Sequence, residues 1–340
     1  MERNERISAR QLCLCLYLSV AAEMIIKPFR EPIRFPARVL IPAAAFNLLV
    51  VGILFWPLHT GRAFDNSTTN SLRYPARLLT AAVLLISAGT TISEANGFLG
   101  FTGDWQLPFA LFLLLVIGLV WYAVRLGAEG FARVGGVLFV LFLTSIVMVA
   151  ISNLRDLRLE NLNAGTLPVG EITQAVQGGF YLSPVFLAGT VLSRKVESGA
   201  RLRWTKLLVL IFATYVLIAV LSELVLGGFA WSQRQPFYTL ARIGNLSVFR
   251  RLDSLYASIW LMALLLKLIV EAAALELLVR AALPEREKHY SVTITMVGIG
   301  CTGIFLYTFF SQEVFRWITW GGVTAVLLLI FSIKRGRRKG

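Results

Sequence analysis

Four ionisable residues lie inside stretches that are otherwise apolar enough to cross a bilayer. Lys267 is near the middle of one stretch and Glu271 follows four residues later, while Glu23 and Glu94 lie in two earlier stretches. A charge at the bilayer centre costs ~2.5–3.5 kcal/mol on insertion scales, so each residue needs a partner or a function. Lys267 and Glu271 either neutralise each other as an i,i+4 pair against a neighbouring helix, or face a ligand cavity or an ion path.

Hydroxyl side chains accompany Glu94 in the third apolar stretch. Their offsets of three, four and seven residues place the whole stripe on one helical face: Ser87, Thr90, Thr91 and Glu94. Hydroxyls on such a face are ordinary contacts between membrane helices. The carboxylate of Glu94 either faces a cavity or reaches the outer interface.

The sixth apolar stretch combines polar side chains with helix-breaking residues. Gln177 and Tyr181 share a face, and Gly178, Gly179 and Pro184 lie at mid-membrane depth. Proline removes a backbone donor, and glycine lowers helix stability by ~1 kcal/mol. Lipid tolerates a broken helix only where the backbone is buried in protein or lines a cavity. The sequence therefore predicts irregular backbone here, and the alternative is a kinked but continuous helix.

No catalytic or metal-binding pattern is present in the sequence. The two histidines, His59 and His289, both lie in loops, and the three cysteines, Cys13, Cys15 and Cys301, lie in apolar segments. Their spacing matches neither a metal site nor a disulfide framework. No nucleophile with a base and an orienting group can be assembled, so we expect no enzyme, no metal and no cofactor.

The elements that must position these residues are membrane helices. The chain has 340 residues, of which 57% are hydrophobic and 15% are charged, whereas soluble domains have about 25% charged residues. Apolar runs of about 20 residues recur along the whole chain. They predict an all-α polytopic membrane protein with one domain and ten transmembrane helices, at residues 8–27, 37–57, 76–99, 106–125, 131–152, 171–192, 206–228, 252–279, 291–310 and 316–333.

The distribution of basic residues predicts the orientation. Of the 33 lysines and arginines, 21 lie in the two tails and the even-numbered loops, 11 lie on the opposite side, and Lys267 is inside a segment. Both termini should therefore be cytoplasmic. The net charge of +14 reflects this asymmetry and does not indicate nucleic acid. The tail Lys334–Lys339 is expected to contact anionic membrane lipid.

Two shorter sequence patterns concern the first segment and the connection between segments seven and eight. The first segment also resembles a signal peptide, with a cleavage-like stretch at residues 19–22, and cleavage would leave nine segments. We favour a first transmembrane helix that carries Glu23. Between segments seven and eight, apolar residues recur at three-residue steps, which predicts a short amphipathic helix at the outer interface: Phe237, Leu240, Ile243, Leu246 and Phe249.

Several of these stretches together resemble one protein family. They are Ile7-Ser-Ala-Arg-Gln-Leu, Pro236-Phe-Tyr-Thr-Leu-Ala-Arg, Phe249-Arg-Arg-Leu-Asp-Ser-Leu, Ile259-Trp260 and Leu266-Lys267. In these runs, in size and in the ten-segment layout, the chain resembles the endospore germination permeases, the integral-membrane B subunits of germinant receptors. The resemblance implies membership of the amino acid–polyamine–organocation transporter superfamily.

For the fold, the resemblance implies two inverted repeats of five helices, at about residues 8–152 and 171–333. It also implies discontinuous first and sixth helices around a central site. The family's first helix usually has glycines before a Leu-Pro at its break, whereas this chain has Ala21, Ala22 and Glu23. An acid there repels a ligand carboxylate, so we expect Glu23 to hold a cation or a ligand's ammonium group.

If this arrangement holds, segments one, three, six and eight meet in the core. Their polar side chains should then converge on one ligand cavity that opens outward: Glu23, Ser87, Thr91, Glu94, Gln177, Gly178, Tyr181, Trp260 and Lys267. Lys267 has three donors and no acceptor, so it would hold a ligand carboxylate or stand in for a coupling sodium ion.

The resemblance implies a receptor subunit in the inner membrane of the spore. Such a subunit binds a small germinant, typically an amino acid, and passes the signal to its A and C partner subunits. The alternative is a secondary transporter of an amino acid, an amine or an ion. Both functions use the same fold and cavity, so the fold alone does not decide between them.

Overall fold

A computed structural model describes residues 6–26, 35–55, 73–102, 107–162, 169–179, 183–196, 204–233, 235–244, 252–309, 318–319 and 321–329. The named helices are α1 Ala9–Ile26, α2 Ala37–Phe55, α3 Arg73–Thr102, α4 Phe109–Leu126, α5 Ala128–Ser152, α6 Val169–Gly179, α7 Val185–Leu192, α8 Trp204–Leu226, α9 Pro236–Ile243, α10 Leu252–Ala282 and α11 Ser291–Phe309. Residues 318–319 and 321–329 are also helical.

Six of these helical segments are long and apolar enough to cross a membrane: Ala37–Phe55, Tyr74–Thr102, Phe109–Leu126, Ala128–Ser152, Trp204–Ala230 and Glu285–Thr308. Their outer faces are apolar too. In α4, Phe112 and Val116 are buried in the bundle, whereas Leu114, Leu115 and Leu119 are exposed. A helix that is apolar on all sides is expected where lipid replaces water. The chain is thus an all-α membrane protein, while ten crossings and the inverted repeat remain predictions.

The sixth predicted segment is divided into two helices. α6 ends at Gly179 and α7 begins at Val185, with Ser183 and Pro184 outside both helices. Pro184 immediately precedes α7, a position where its missing N–H breaks no helical hydrogen bond. The predicted irregular stretch at residues 177–181 is helical as far as Gly179, and the observed non-helical backbone is at Ser183 and Pro184. Residues 180–182, including Tyr181, lie outside the described part of the chain.

The expected break in the first helix is wrong. α1 is a continuous helix from Ala9 to Ile26 and runs through Ala21, Ala22 and Glu23 without interruption. This stretch contains neither glycine nor proline, and its alanines and leucines favour helix. The buried charge of Glu23 is compensated by a lysine on another helix, so no unwound backbone is needed to accommodate it.

The centre of the bundle is α10. It packs against α1, α3, α5, α7 and α11, and every residue from Leu268 to Leu275 is buried. The short helix α9, which matches the predicted amphipathic helix at Phe237, Leu240 and Ile243, packs against α8 and α10. Leu246 and Phe249, the rest of that pattern, lie outside the described residues.

The residue before the first helix and the residue after α7 meet at one end of the bundle. The Ile7 amide donates to the Lys195 carbonyl at 2.9 Å, and Ile7 pairs with Val196 as an isolated parallel bridge. Ile7 precedes α1 and Val196 follows α7, so the start of segment one and the end of segment six lie together. Both belong to the side that the basic residues predict to be cytoplasmic.

This orientation predicts the behaviour of fusions at the C-terminus. A fluorescent protein that matures only in the cytoplasm should fluoresce there, and an alkaline phosphatase that works only outside should be inactive. The reverse pattern would contradict the assignment of both termini to the cytoplasm.

A close contact between α1 and α5 depends on one glycine. A Cβ atom on Gly135 would overlap Cys15 Sγ, whereas a Cβ on the adjacent Gly136 would meet nothing within 4 Å. Gly135→Ala should therefore lower the free energy of unfolding by ~1–3 kcal/mol through overpacking. The matched control Gly136→Ala should leave stability unchanged or slightly higher. Equal effects of the two variants on denaturant unfolding would contradict this packing.

Candidate functional site

Three helices bring five of the polar residues into one buried cluster. Lys267 and Glu271 are one turn apart on α10, and Ser87 and Thr91 are one turn apart on α3. Glu23 reaches them from α1. We call these five residues the charge cluster. All five are buried, so their polar atoms depend on one another in place of water.

The ammonium group of Lys267 is fully engaged. Its Nζ lies 3.0 Å from Glu23 Oε1 and 3.4 Å from Glu271 Oε1, and it donates a hydrogen bond to Thr91 Oγ1. An ammonium has three hydrogens, and here three partners surround it. In this conformation Lys267 therefore has no donor left for a ligand carboxylate.

One buried carboxylate of the cluster has an oxygen without a partner among the described residues. Ser87 Oγ donates to Glu271 Oε1 at 2.6 Å, but Glu271 Oε2 has no hydrogen-bond partner in the described part of the chain. Glu94, half-buried one turn beyond Thr91, also acts electrostatically on Lys267. The fully buried Glu271 carboxylate therefore has an oxygen that can accept another hydrogen bond. Such an oxygen is stabilised by a proton, a small cation or the ammonium of a ligand.

A layer of six aromatic side chains covers the charge cluster towards α9. Its central contact joins Trp260, which is 0% exposed, to Phe98, with ring centroids 4.0 Å apart in an edge-on arrangement. Tyr238 contacts Phe98 and continues the layer to the remaining members, Phe101, Tyr256 and Phe237. We call these six residues the aromatic layer.

Helix geometry explains why the aromatic layer lies over the cluster. Trp260 precedes Lys267 by seven residues on α10, and Phe98 follows Thr91 by seven residues on α3. Seven residues are two turns, so both rings are about 10 Å along the axis from the ions and on the same face. A ligand that approached from the α9 end would have to displace these rings.

The remaining predicted site residues are not joined to the cluster by any described contact. Gln177 and Gly178 lie in α6, which packs against α2, where Asn47 Nδ2 donates to the Val176 carbonyl at 3.4 Å. The side chain of Gln177 and the whole of Tyr181 are outside the described residues. A contribution of α6 to a ligand cavity therefore stays a prediction.

Sequence reasoning found the ions but missed most of the aromatic layer. Tyr256, Trp260 and Lys267 recur at steps of four and seven residues, which is a single helical face and a signal that was available. The partners on α9 and α3 could not be inferred, because aromatic residues are common throughout membrane helices.

The described residues contain no group of three or more His, Cys, Asp and Glu side chains that could hold a metal ion. In comparisons with known proteins, no family model and no curated protein matches this chain. The role of the charge cluster therefore has to be argued from its own chemistry.

Proposed function

We propose that this chain is the integral-membrane subunit of a spore germinant receptor, which binds a small germinant of the amino-acid class and signals through A and C partner subunits. The observation that carries the proposal is the fully buried Glu271 carboxylate between α1, α3 and α10, whose Oε2 has no hydrogen-bond partner among the described residues. The resemblance to germination permeases in five sequence runs is the reason for proposing a receptor subunit. The divided sixth segment supports a permease-like architecture.

The cluster suits recognition of a positive group. A ligand ammonium can donate a hydrogen bond to Glu271 Oε2, whereas a ligand carboxylate finds the donors of Lys267 occupied. Ligand entry would redistribute the hydrogen bonds that tie α1 to α3 and α10. Because these three helices form the bundle centre, such a change would alter helix packing at a distance from the ligand.

A secondary transporter is the alternative, and the same buried carboxylate favours it. A carboxylate oxygen without a partner, such as Glu271 Oε2, is a natural place for a coupling proton or cation. The receptor and the transporter then differ only in whether the ligand crosses the membrane.

Uptake by the purified chain separates the two functions. Proteoliposomes that contain only this chain should bind a radiolabelled amino acid without concentrating it, and the A and C subunits should co-purify with the chain from spores. Accumulation of the amino acid against a gradient by the chain alone would contradict the receptor proposal and establish the transporter.

The hydroxyl of Ser87 offers a milder test of the cluster's role. Ser87→Ala removes the 2.6 Å hydrogen bond to Glu271, a bond to a charged group that is worth ~1.5–3 kcal/mol. Amino acid affinity should change at least about tenfold, while folded protein stays in the membrane. The matched control is Ser258→Ala, because exposed Ser258 bonds only to the Ser254 carbonyl of its own helix. Unchanged affinity in Ser87→Ala would contradict ligand binding at the cluster.

A further inference from the structure

A cavity lined by both apolar and polar side chains lies on a different face of α1 from Glu23. Residues from α1, α2, α8 and α9 line it, and its volume is about 60 Å³. A buried water needs roughly 10–15 Å³ on this measure, so the cavity has room for about four to six groups of water size. None of the five residues of the charge cluster lines it.

Three buried polar side chains line this cavity. Ser222 Oγ and both side-chain polar atoms of Gln235 have no hydrogen-bond partner among the described residues, although the two residues are only 5% and 3% exposed. The carboxylate of Glu223, 2% exposed, accepts a hydrogen bond from the Ala37 amide at the start of α2. Within the described chain, no basic side chain forms a salt bridge with Glu223.

Unsatisfied buried polar atoms are costly, because each has lost its water without gaining a partner. Two such side chains beside one carboxylate, all lining one space, indicate that the space receives a polar group. An anion is disfavoured by the charge of Glu223. A group that donates several hydrogen bonds and carries a positive charge satisfies Glu223, Gln235 Oε1 and Ser222 Oγ together.

The remaining residues that line the cavity indicate what the uncharged part of the ligand is like. Aliphatic side chains supply most of the surface, including Met24, Leu40 and Ile218, and aromatic rings are contributed by Tyr215 and Phe237. Aliphatic walls accept a short hydrocarbon, and aromatic rings attract cations through their faces.

We infer that this cavity is a binding site for a small primary amine, with its ammonium held by Glu223, Gln235 and Ser222 and its hydrocarbon body against the apolar wall. The site is separate from the charge cluster and does not depend on the proposed receptor function. Tyr238 lines the cavity and also belongs to the aromatic layer, so an occupant would contact the residues that cover the cluster.

The test measures binding of isobutylamine to the purified full chain by calorimetry, with isobutanol as the neutral molecule of the same shape. The amine should bind saturably, and the alcohol at least about tenfold more weakly, since it lacks the charge-assisted hydrogen bonds. Equal affinity of the two compounds, or no saturable binding of the amine, would overturn the assignment.

Two variants locate the site. Glu223→Gln keeps an oxygen to accept the Ala37 amide but removes the charge, and should weaken amine binding at least about tenfold. Gln235→Met removes only atoms that have no described partner, so the variant should fold with an equal or higher melting temperature. It should also weaken the binding of the amine. Ser258→Ala, at an exposed position that lines neither the cavity nor the charge cluster, should bind the amine as the unmodified chain does. Unchanged amine affinity in Gln235→Met would overturn the proposal even if Glu223→Gln failed to fold.

Discussion

Replacing Lys267 with methionine is expected to lower the free energy of unfolding by ~3–5 kcal/mol or more, and to deplete folded protein from the membrane. Lys267 is 1% exposed and lies within salt-bridge distance of both Glu23 and Glu271. Without it, both carboxylates lose the ammonium that they share, and Glu271 keeps only the hydrogen bond from Ser87 among the described residues. Denaturant unfolding in detergent and the yield of folded protein measure the effect.

Exposed Lys206 provides the matched control. Lys206→Met removes the same charge from a solvent-facing position on α8 and should change stability by no more than about 0.5 kcal/mol. Normal stability and yield of Lys267→Met would contradict the buried ion cluster.

The carboxylate variants show which charges Lys267 compensates. Removing Lys267 together with Glu271 still strands Glu23, whose Oε1 is the nearer partner at 3.0 Å. Lys267→Met with Glu271→Gln should therefore recover folding only in part, and adding Glu23→Gln should recover it fully. If the double variant restored both folding and the response to ligand, Lys267 would be a structural ion and would have no part in ligand recognition.

Truncating Trp260 is the second change with a large expected effect. Trp260→Ala should lower the free energy of unfolding by ~3–5 kcal/mol, because the indole is completely buried against Phe98 and its loss leaves a cavity that the helices cannot fill. Since Trp260 Nε1 has no hydrogen-bond partner in the described residues, this loss is one of packing.

Trp260→Phe separates packing from side-chain chemistry. It keeps an aromatic ring against Phe98 and should cost clearly less than the alanine variant. Similar unfolding energies for the alanine variant and the unmodified chain would show that the aromatic layer does not hold α3 and α10 together.

The positions of the helices could be predicted because the bilayer dictates the length of each apolar run. Helical periodicity also placed Ser87 and Thr91 on the face that meets Lys267, and the cost of a buried charge identified Glu23 as a residue with a partner. What sequence alone left open was which partner each ion has. The i,i+4 pair with Glu271 is present, but the nearer carboxylate comes from α1.

The failures have physical causes as well. A break in α1 was inferred from the family resemblance. The residues at the expected break include Ala21 and Ala22, which are good helix formers, and the helix is continuous there. The cavity at Glu223 was missed because an acid near the end of a helix suggests the interface, and Gln235 lies in a connection. Only the packing of α9 against α8 buries both.

A thermal-shift screen of amino acids, nucleosides and sugars on the purified chain tests the central claim most directly. Because Glu271 Oε2 in the charge cluster has no partner among the described residues, at least one amino acid should raise the melting temperature saturably, while nucleosides and sugars, which lack an ammonium group, should not. The shift should be diminished in Ser87→Ala and preserved in Ser258→Ala. A screen in which no amino acid shifts the melting temperature, or in which a sugar or nucleoside does so equally in both variants, would contradict the account.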